Sequence, residues 1–380
     1  MRKTPTILVG IVLLLLALGI VMLASASSVK GNAVYKDSNY FLIRQVIWLA
    51  VAVVAGSITA AIDYHRWQQR HWWIPLSVFA GLLLVLVLVP SIGPKINGSH
   101  RWIRLGPIST QPSELAKFAV VIMLSSWMAT RKGKEGTFME GILKPGAMLL
   151  PMLGLIFKEP DFGTTVLLAV VGCSILFAGG SPVRYLGLGA IIGIIGFAIA
   201  VMHDPVRAGR ILAFIEPEKY PAAAYHLQQS EQAFTLGGVW GVGLGESLQK
   251  HFYLPEAHTD FILAIIGEEL GLVATLLVVL LFAGFLACGA MIIRQAPDLL
   301  GRLMALGFTL MTTVQATINV GVVTGCLPTK GLALPFISYG GSSLIVSMMC
   351  VGVLVNIAHQ GIVPEGKAVL RAVQDKGRWL

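Results

Sequence analysis

The chain has 380 residues, of which 56% are hydrophobic and only 12% charged, and its mean hydropathy is +0.78. That balance lies far outside soluble base rates and excludes a water-facing globule, because so many apolar side chains need lipid as their solvent. The formal charge of +9 then reads as membrane topology and argues against nucleic-acid binding.

In chain order, apolar runs long enough to cross a hydrocarbon core of about 30 Å recur along the whole chain. They predict helices over residues 6–26, 40–61, 72–90, 112–130, 144–157, 162–179, 184–202, 261–293, 301–323 and 342–358. The expected fold class is therefore all-α, a polytopic membrane protein with about ten transmembrane helices. The first run follows Arg2 and Lys3, and Ala24-Ser25-Ala26 is compatible with signal-peptide cleavage. The run is too long for a signal-peptide core and many spans follow, so it is read as a retained helix. Arg66 and Arg70, Arg131, Lys132 and Lys134, Arg294 and Arg302, and Lys367 onward all fall on the same side as Arg2 and Lys3, which places both termini in the cytoplasm.

This reading gives one transmembrane domain, residues 1–360, followed by a basic cytoplasmic tail, 361–380. A large extracytoplasmic loop, 203–260, lies between the seventh and eighth predicted helices, and a loop of that length in a compact fold is usually functional. Residues 91–111, 158–161 and 324–341 also lie outside, and they carry Arg101, Arg104, Lys158 and Lys330 against the topology rule. An anionic ligand on that side accounts for the exceptions. Most acidic residues map outward too, among them Glu159, Asp161, Glu256 and Asp260. The four cysteines, Cys173, Cys288, Cys326 and Cys350, are scattered without metal-ligand spacing and read as packing residues.

The richest stretch for chemistry is Gln249 to Phe261, with Lys250, His258 and Asp260, leading into an apolar helix that holds Glu268 and Glu269. Asp260 at a helix start is either an N-cap or a functional carboxylate. Glu114 and Lys117 share a helix face at i,i+3 within a span, either as glue between helices or as ligand contacts. Trp102 between Arg101 and Arg104 serves as an interfacial anchor or as a platform for a sugar beside a phosphate. The Gly- and Pro-rich run from Gly325 to Ser343, with Lys330 and Ser338, demands an irregular backbone that suits phosphate, although channel-filter and re-entrant readings stay open.

Taken together, Ala257-His258-Thr259-Asp260-Phe261, Gly267-Glu268-Glu269-Leu270-Gly271, the Leu327–Ser343 block, Trp102, Pro112-Ser113-Glu114 and Glu159-Pro160-Asp161 resemble the SEDS family (shape, elongation, division and sporulation), which comprises FtsW, RodA and a sporulation relative. Leu327-Pro328-Thr329-Lys330-Gly331-Leu332 is more similar to the FtsW branch than to RodA. The resemblance implies a peptidoglycan glycosyltransferase of the bacterial inner membrane that polymerises lipid II for septal wall synthesis beside a class B penicillin-binding transpeptidase and other divisome proteins. It implies Asp260 as general base and Trp102 as a residue needed for activity, with Arg101, Lys117, Arg207, Arg210, Lys250 and Lys330 as cations for pyrophosphate. A divalent cation, Mg or Mn, is compatible with that chemistry, but the sequence has no dedicated metal cage. The alternatives are an elongation-type polymerase, a lipid II flippase and a scaffold that activates a transpeptidase. The outward concentration of ionisable residues favours the enzyme over the flippase.

Overall fold

The computed structural model describes residues 3–69, 71–94, 99–105, 108–131 and 133–362. The basic tail, Arg70 and Lys132 lie outside the described residues.

All ten predicted stretches are helical. In chain order the helices are α1 (Thr4–Tyr35), α2 (Tyr40–Ala61), the short α3 (His65–Gln69), α4 (Trp73–Val87), α5 (Pro112–Thr130), α6 (Lys144–Lys158), α7 (Phe162–Ala178), α8 (Val183–Met202), α9 (Pro205–Ile215), α10 (Pro221–Gly237), α11 (Ile262–Gln295), α12 (Leu299–Val323) and α13 (Gly341–Ile362). A π-helical turn, Met139–Leu143, precedes α6. Among the described residues the only ribbon is β1 (Ile103–Leu105) paired antiparallel with β2 (Ile108–Thr110), with Ile103 opposite Thr110.

Among the described residues seven helical stretches are long and apolar enough to cross a bilayer: α1, α2, Met139–Lys158, α8, α11, α12 and α13. The apolar helices α4 and α7 are shorter. Helix α5 differs in kind, because its residues 116–126 are all buried and it forms the axis of the bundle. Being enclosed by protein, it can carry Glu114 and Lys117 where a lipid-facing helix would not. Phe118 of α5 stacks on Phe308 of α12 with ring centroids 5.1 Å apart. Helices α2 and α13 touch backbone to backbone, since a Cβ at Gly352 would lie 2.2 Å from the Gly56 carbonyl oxygen. Small residues at such a crossing are how membrane helices gain packing energy that lipid does not supply.

The segment 203–260 is not a structureless loop. It contains α9 and α10, each opened by a proline whose missing N–H is harmless in a first turn. Helix α10 buries Ala224, Leu227, Ser230, Ala233 and Gly237, a stripe of one-face spacing that packs on α11. Helix α11 breaks at Gly271, where φ is +75°. The break releases the carbonyls of Glu268 and Glu269 to accept from the amides of Val242 (2.9 Å) and Gly243 (3.0 Å), which docks the chain leaving α10 against α11. Helix α1 runs nine residues past its predicted end, from 26 to 35, so Ala24-Ser25-Ala26 lies inside a helix.

At the end of the bundle opposite Asp260, His65 is held between Asp63 (2.7 Å) and Asp298 (2.5 Å). The Tyr64 hydroxyl donates to Asp298 (2.9 Å), and Gln360 of α13 donates to Asp63 (3.0 Å). These bonds join the turns after α2 and before α12 to the end of α13. Although partial burial opposes it, the two carboxylates raise the imidazole to about 9 from its ordinary 6.5. A raised folded-state value means stabilisation that is complete below about pH 6.5 and lost as pH rises through about 9. The thermal midpoint of the purified protein should therefore fall across that interval, and His65→Gln should flatten the fall; an equal slope in the variant would refute the charge on His65 as its source.

Candidate active site

Two segments meet at one end of the bundle, the turn before α11 (254–261) and the connection from α12 to α13 (324–340). The Asn319 side chain on α12 donates from Nδ2 to the Asp260 carbonyl and to the Leu332 carbonyl, both at 2.7 Å. Ser338 donates to the Thr259 carbonyl (2.6 Å) and accepts from the Leu334 amide (2.8 Å), while the Tyr339 amide donates to the His258 carbonyl (3.1 Å). Gln45 on α2 donates to the Ser338 carbonyl (3.3 Å) and accepts from the Gly340 amide (3.3 Å). Neutral amides and one hydroxyl thus fix two irregular strands of backbone against each other. Gly331 lies so close to Asp260 that a Cβ there would sit 2.6 Å from Oδ2.

Asp260 itself does not cap α11; the cap position is Phe261, with no side-chain cap bond. Burial first, then the Glu256 and Asp161 carboxylates, push the Asp260 carboxyl up to about 7, with Arg101 and Arg210 opposing. Asp161 caps α7 by accepting from the Thr164 amide (3.2 Å) and hydroxyl (2.9 Å), and it also accepts from Gln111 (3.2 Å). Arg101 is tethered by backbone carbonyls, donating Nε to Glu159 (3.0 Å) and an Nη to Pro160. The Glu159 side chain is fully buried with both carboxyl oxygens unpartnered, and burial followed by Asp161 raises it to about 9. It is therefore a neutral acid at neutral pH. Lys330 is half-buried, with its ammonium 5.6 Å from the centre of the Phe197 ring on α8, and desolvation pulls it below its ordinary value.

Arg101 and Arg210 thus act on Asp260 directly, while Lys330 acts on Asp161, which itself acts on Asp260; Trp102, next to Arg101 in the chain, is half-buried at the start of the β-ribbon. Other candidates sit elsewhere in the network. His258 is buried between Phe41 (4.9 Å) and Tyr339 (5.9 Å), and desolvation lowers it to about 4, so it is neutral. Ser338 is committed to backbone. Glu114 and Lys117 form a buried pair at 2.9 Å, and Lys117 donates on to Gln315 (2.8 Å), whose amide reaches the Ala333 carbonyl (2.7 Å). Lys250 corrects the expectation of a phosphate-facing ammonium: it is buried against Glu269 (3.1 Å), Ser25 (3.1 Å) and the Gly245 carbonyl. The side chain of Arg207 lies outside the described ones.

Sequence reasoning missed the amides Gln45, Gln111, Gln315 and Asn319; each lies in an apolar helix or just before one, and a polar amide in that setting was the available signal. Among the described residues no three His, Cys, Asp or Glu side chains converge as an all-protein metal cage; a divalent cation here would have to share its ligands with a substrate's phosphates.

A family model described as "Cell cycle protein", for FtsW, RodA and SpoVE, matches residues 5–362. The chain belongs to this FtsW/RodA/SpoVE family. Curated relatives within it include the probable peptidoglycan glycosyltransferase FtsW of Trichlorobacter lovleyi, 42% identical over 353 residues, 93% of this chain and 92% of that protein. The stage V sporulation protein E of Bacillus subtilis is 39% identical over 360 residues, 94% of this chain and 98% of its own. The crystal structure of the Thermus thermophilus rod shape determining protein RodA matches with a TM-score of 0.68 at 26% identity, covering 94% of this chain and 97% of RodA. A structure described as "Structural coordination of polymerization and crosslinking by a peptidoglycan synthase complex" matches with a TM-score of 0.74 at 27% identity, covering 94% and 98%. The multi-pass membrane architecture is thus a family property.

Within this FtsW/RodA/SpoVE scaffold, the buried Glu114–Lys117 pair links α5 to the loop beside Asp260. Lys117→Met leaves Glu114 charged and unpaired in an apolar interior, which should lower stability by about 3–5 kcal/mol. Adding Glu114→Gln should restore most of the loss in thermal unfolding. An undiminished loss in the double variant would place the damage elsewhere.

Proposed function

We propose that this protein is a peptidoglycan glycosyltransferase that polymerises lipid II for septal wall synthesis, with Asp260 as general base. The observation that carries the reading is a buried carboxylate acted on by Arg101 and Arg210 and packed against Gly331, beside Lys330 in the chain, at one end of a membrane bundle. Relatives named peptidoglycan glycosyltransferase at about 40% identity support the activity, and the FtsW names among them support the division role.

The bond that forms joins the acceptor sugar's 4-hydroxyl oxygen to the anomeric carbon of the donor, and the bond that breaks releases undecaprenyl pyrophosphate with inversion. The hydroxyl proton passes to Asp260. A base whose affinity for protons lies near the working pH is both available and strong enough for this task. The leaving pyrophosphate gathers negative charge, and the fixed cations stabilise it where water is scarce. Arg101, tied to two backbone carbonyls, is pre-positioned for that role. Trp102 offers a stacking face to a sugar. The polyprenyl tail stays in lipid, so the site lies on the extracytoplasmic side of the cytoplasmic membrane with both termini inside. A class B penicillin-binding transpeptidase crosslinks the product.

With lipid II and the transpeptidase partner, Asp260→Asn should insert normally and lose about 10²–10⁴-fold in polymer formation, the range for a positioned base. Full polymer from Asp260→Asn would sink the assignment, and lipid II movement across liposomes without polymer by the wild type would replace the enzyme with a flippase. Because the raised carboxyl becomes basic only above its value, the wild-type rate should climb as pH passes about 7. Arg210→Gln removes a cation that favours the carboxylate, so its midpoint should move to higher pH.

A further inference from the structure

The chain between α10 and the Asp260 turn has a feature that catalysis does not use. Residues 236–245 carry no charge, and their large side chains face away from the protein: Val239 is 53% exposed, Trp240 82%, Val242 43% and Leu244 54%. In water such a run would be a liability.

Its height is fixed by hydrogen bonds to α11. The Leu272 amide donates to the Gly238 carbonyl (3.0 Å) and the Val273 amide to the Val239 carbonyl (3.4 Å), while the return limb gives its Val242 and Gly243 amides to α11. Helix α11 is charge-free from Leu270 to Ile293, a stretch of about 36 Å at 1.5 Å per residue, slightly more than a hydrocarbon core of about 30 Å. Gly238 and Val239 are therefore level with the first residues of that stretch, and Trp240 follows at the tip. The exposed side chains continue directly into the outward face of α11, where Leu272, Leu276 and Leu280 are 47%, 50% and 67% exposed.

Irregular backbone survives at that depth only if its polar groups are satisfied within protein. Here the broken turn at Gly271 supplies the partners for the tip. Deeper in the loop, the Glu268 carboxylate accepts from the Leu248 amide (2.8 Å) and the Ser247 hydroxyl. From Gly238 to Leu244 only apolar side chains then face outward, and the first exposed charge on the return limb is Glu246. Leu244 also walls a groove of about 530 Å³ with Ile20, Val21 and Ala24 of α1 and Leu42 of α2, whose lining includes the polar Ser25, Ser28 and Lys250 as well.

We infer that residues 238–244 form a re-entrant hairpin that dips from the Asp260 side into the boundary of the hydrocarbon, with Trp240 at its tip seated among lipid. The occupant of this surface is the bilayer itself. A tryptophan suits the position because its ring is apolar and its indole N–H finds partners at headgroup level. The hairpin anchors the start of the segment that ends at Asp260.

The test places nitroxide labels one at a time at Trp240→Cys and Val242→Cys, in a full-length chain with its four native cysteines replaced, in phosphatidylcholine nanodiscs. Leu276→Cys gives the lipid reference and Glu216→Cys the aqueous one. Collisions with oxygen should dominate over those with a water-soluble nickel chelate at 240 and 242, as at 276. Nickel-dominated collisions, as at 216, would overturn the proposal by making the hairpin aqueous, and shielding from both reagents would overturn it in favour of a protein cover. A measurement that keeps the native cysteines compares quenching by brominated phosphatidylcholine in wild type and Trp240→Phe. The quenchable emission should drop in the variant, and unchanged quenching would count against insertion.

Discussion

Glu268 and Glu269, adjacent and fully buried on α11, set the terms for the Asp260 end of this protein. A carboxylate enclosed by apolar helices must be met by donors or it neutralises. Glu268 takes the Ser247 hydroxyl and the amides of Leu248 and Gln249; Glu269 takes Lys250 and Ser25. Each of those donors lies in the chain that leads to Asp260 or in the helix that flanks it. Supplying donors to Glu268 and to Oε1 of Glu269 therefore fixes the path of the loop, ties it to α1 and commits Lys250. The ammonium that looks available in the sequence is the counter-ion that makes the acidic pair tolerable.

The reacting end is then assembled with a different material. Gln45 on α2 and Gln315 and Asn319 on α12 join two helices to the backbone of the two segments at the Asp260 end through neutral amides. Because an amide brings no net charge, this scaffold holds the loops without altering the proton affinity of Asp260, which depends on burial and on four charged neighbours. Position and proton affinity are thereby governed by separate sets of residues. The Glu114–Lys117 pair joins the scaffold without adding net charge, since it reaches the loop only through Gln315.

The sequence made the apolar helices legible because a lipid-facing span has to be apolar over most of its length, and all ten predicted stretches are helical. It concealed α9 and α10, whose single buried stripe is diluted by Gln, Ala and Tyr and never amounts to a membrane-length run. Arg101 and Lys330 were readable as cations out of place, and Asp260 as the last acid of a polar stretch that leads into an apolar helix. The partnership of Lys250 was not, because Glu269 is nineteen residues away and the pairing exists only once Gly271 has broken α11 and the loop has folded back. Isolated amides carry too little hydropathy signal to separate Asn319, which clamps the site, from a polar residue facing solvent.

The distribution of polar groups also bears on how the bilayer takes part. Among the described residues ionisable side chains gather around Asp260, around His65 and around Glu140, which pairs with Arg131 and Lys144. Between the Asp260 and His65 ends α5 presents Phe118, Val120, Val121, Ile122 and Leu124 with no exposure at all, and Phe308 of α12 closes on Phe118. A carrier for a charged headgroup needs a polar route, or a seam that opens, through its middle. Here the middle is a close-packed apolar core, and opening it would expose buried side chains on both α5 and α12. A polymerase needs no such route, because its lipid-linked substrate can diffuse in the plane of the membrane and present its sugars to Asp260 from one side. The apolar core gives the Asp260 end of the bundle a rigid floor.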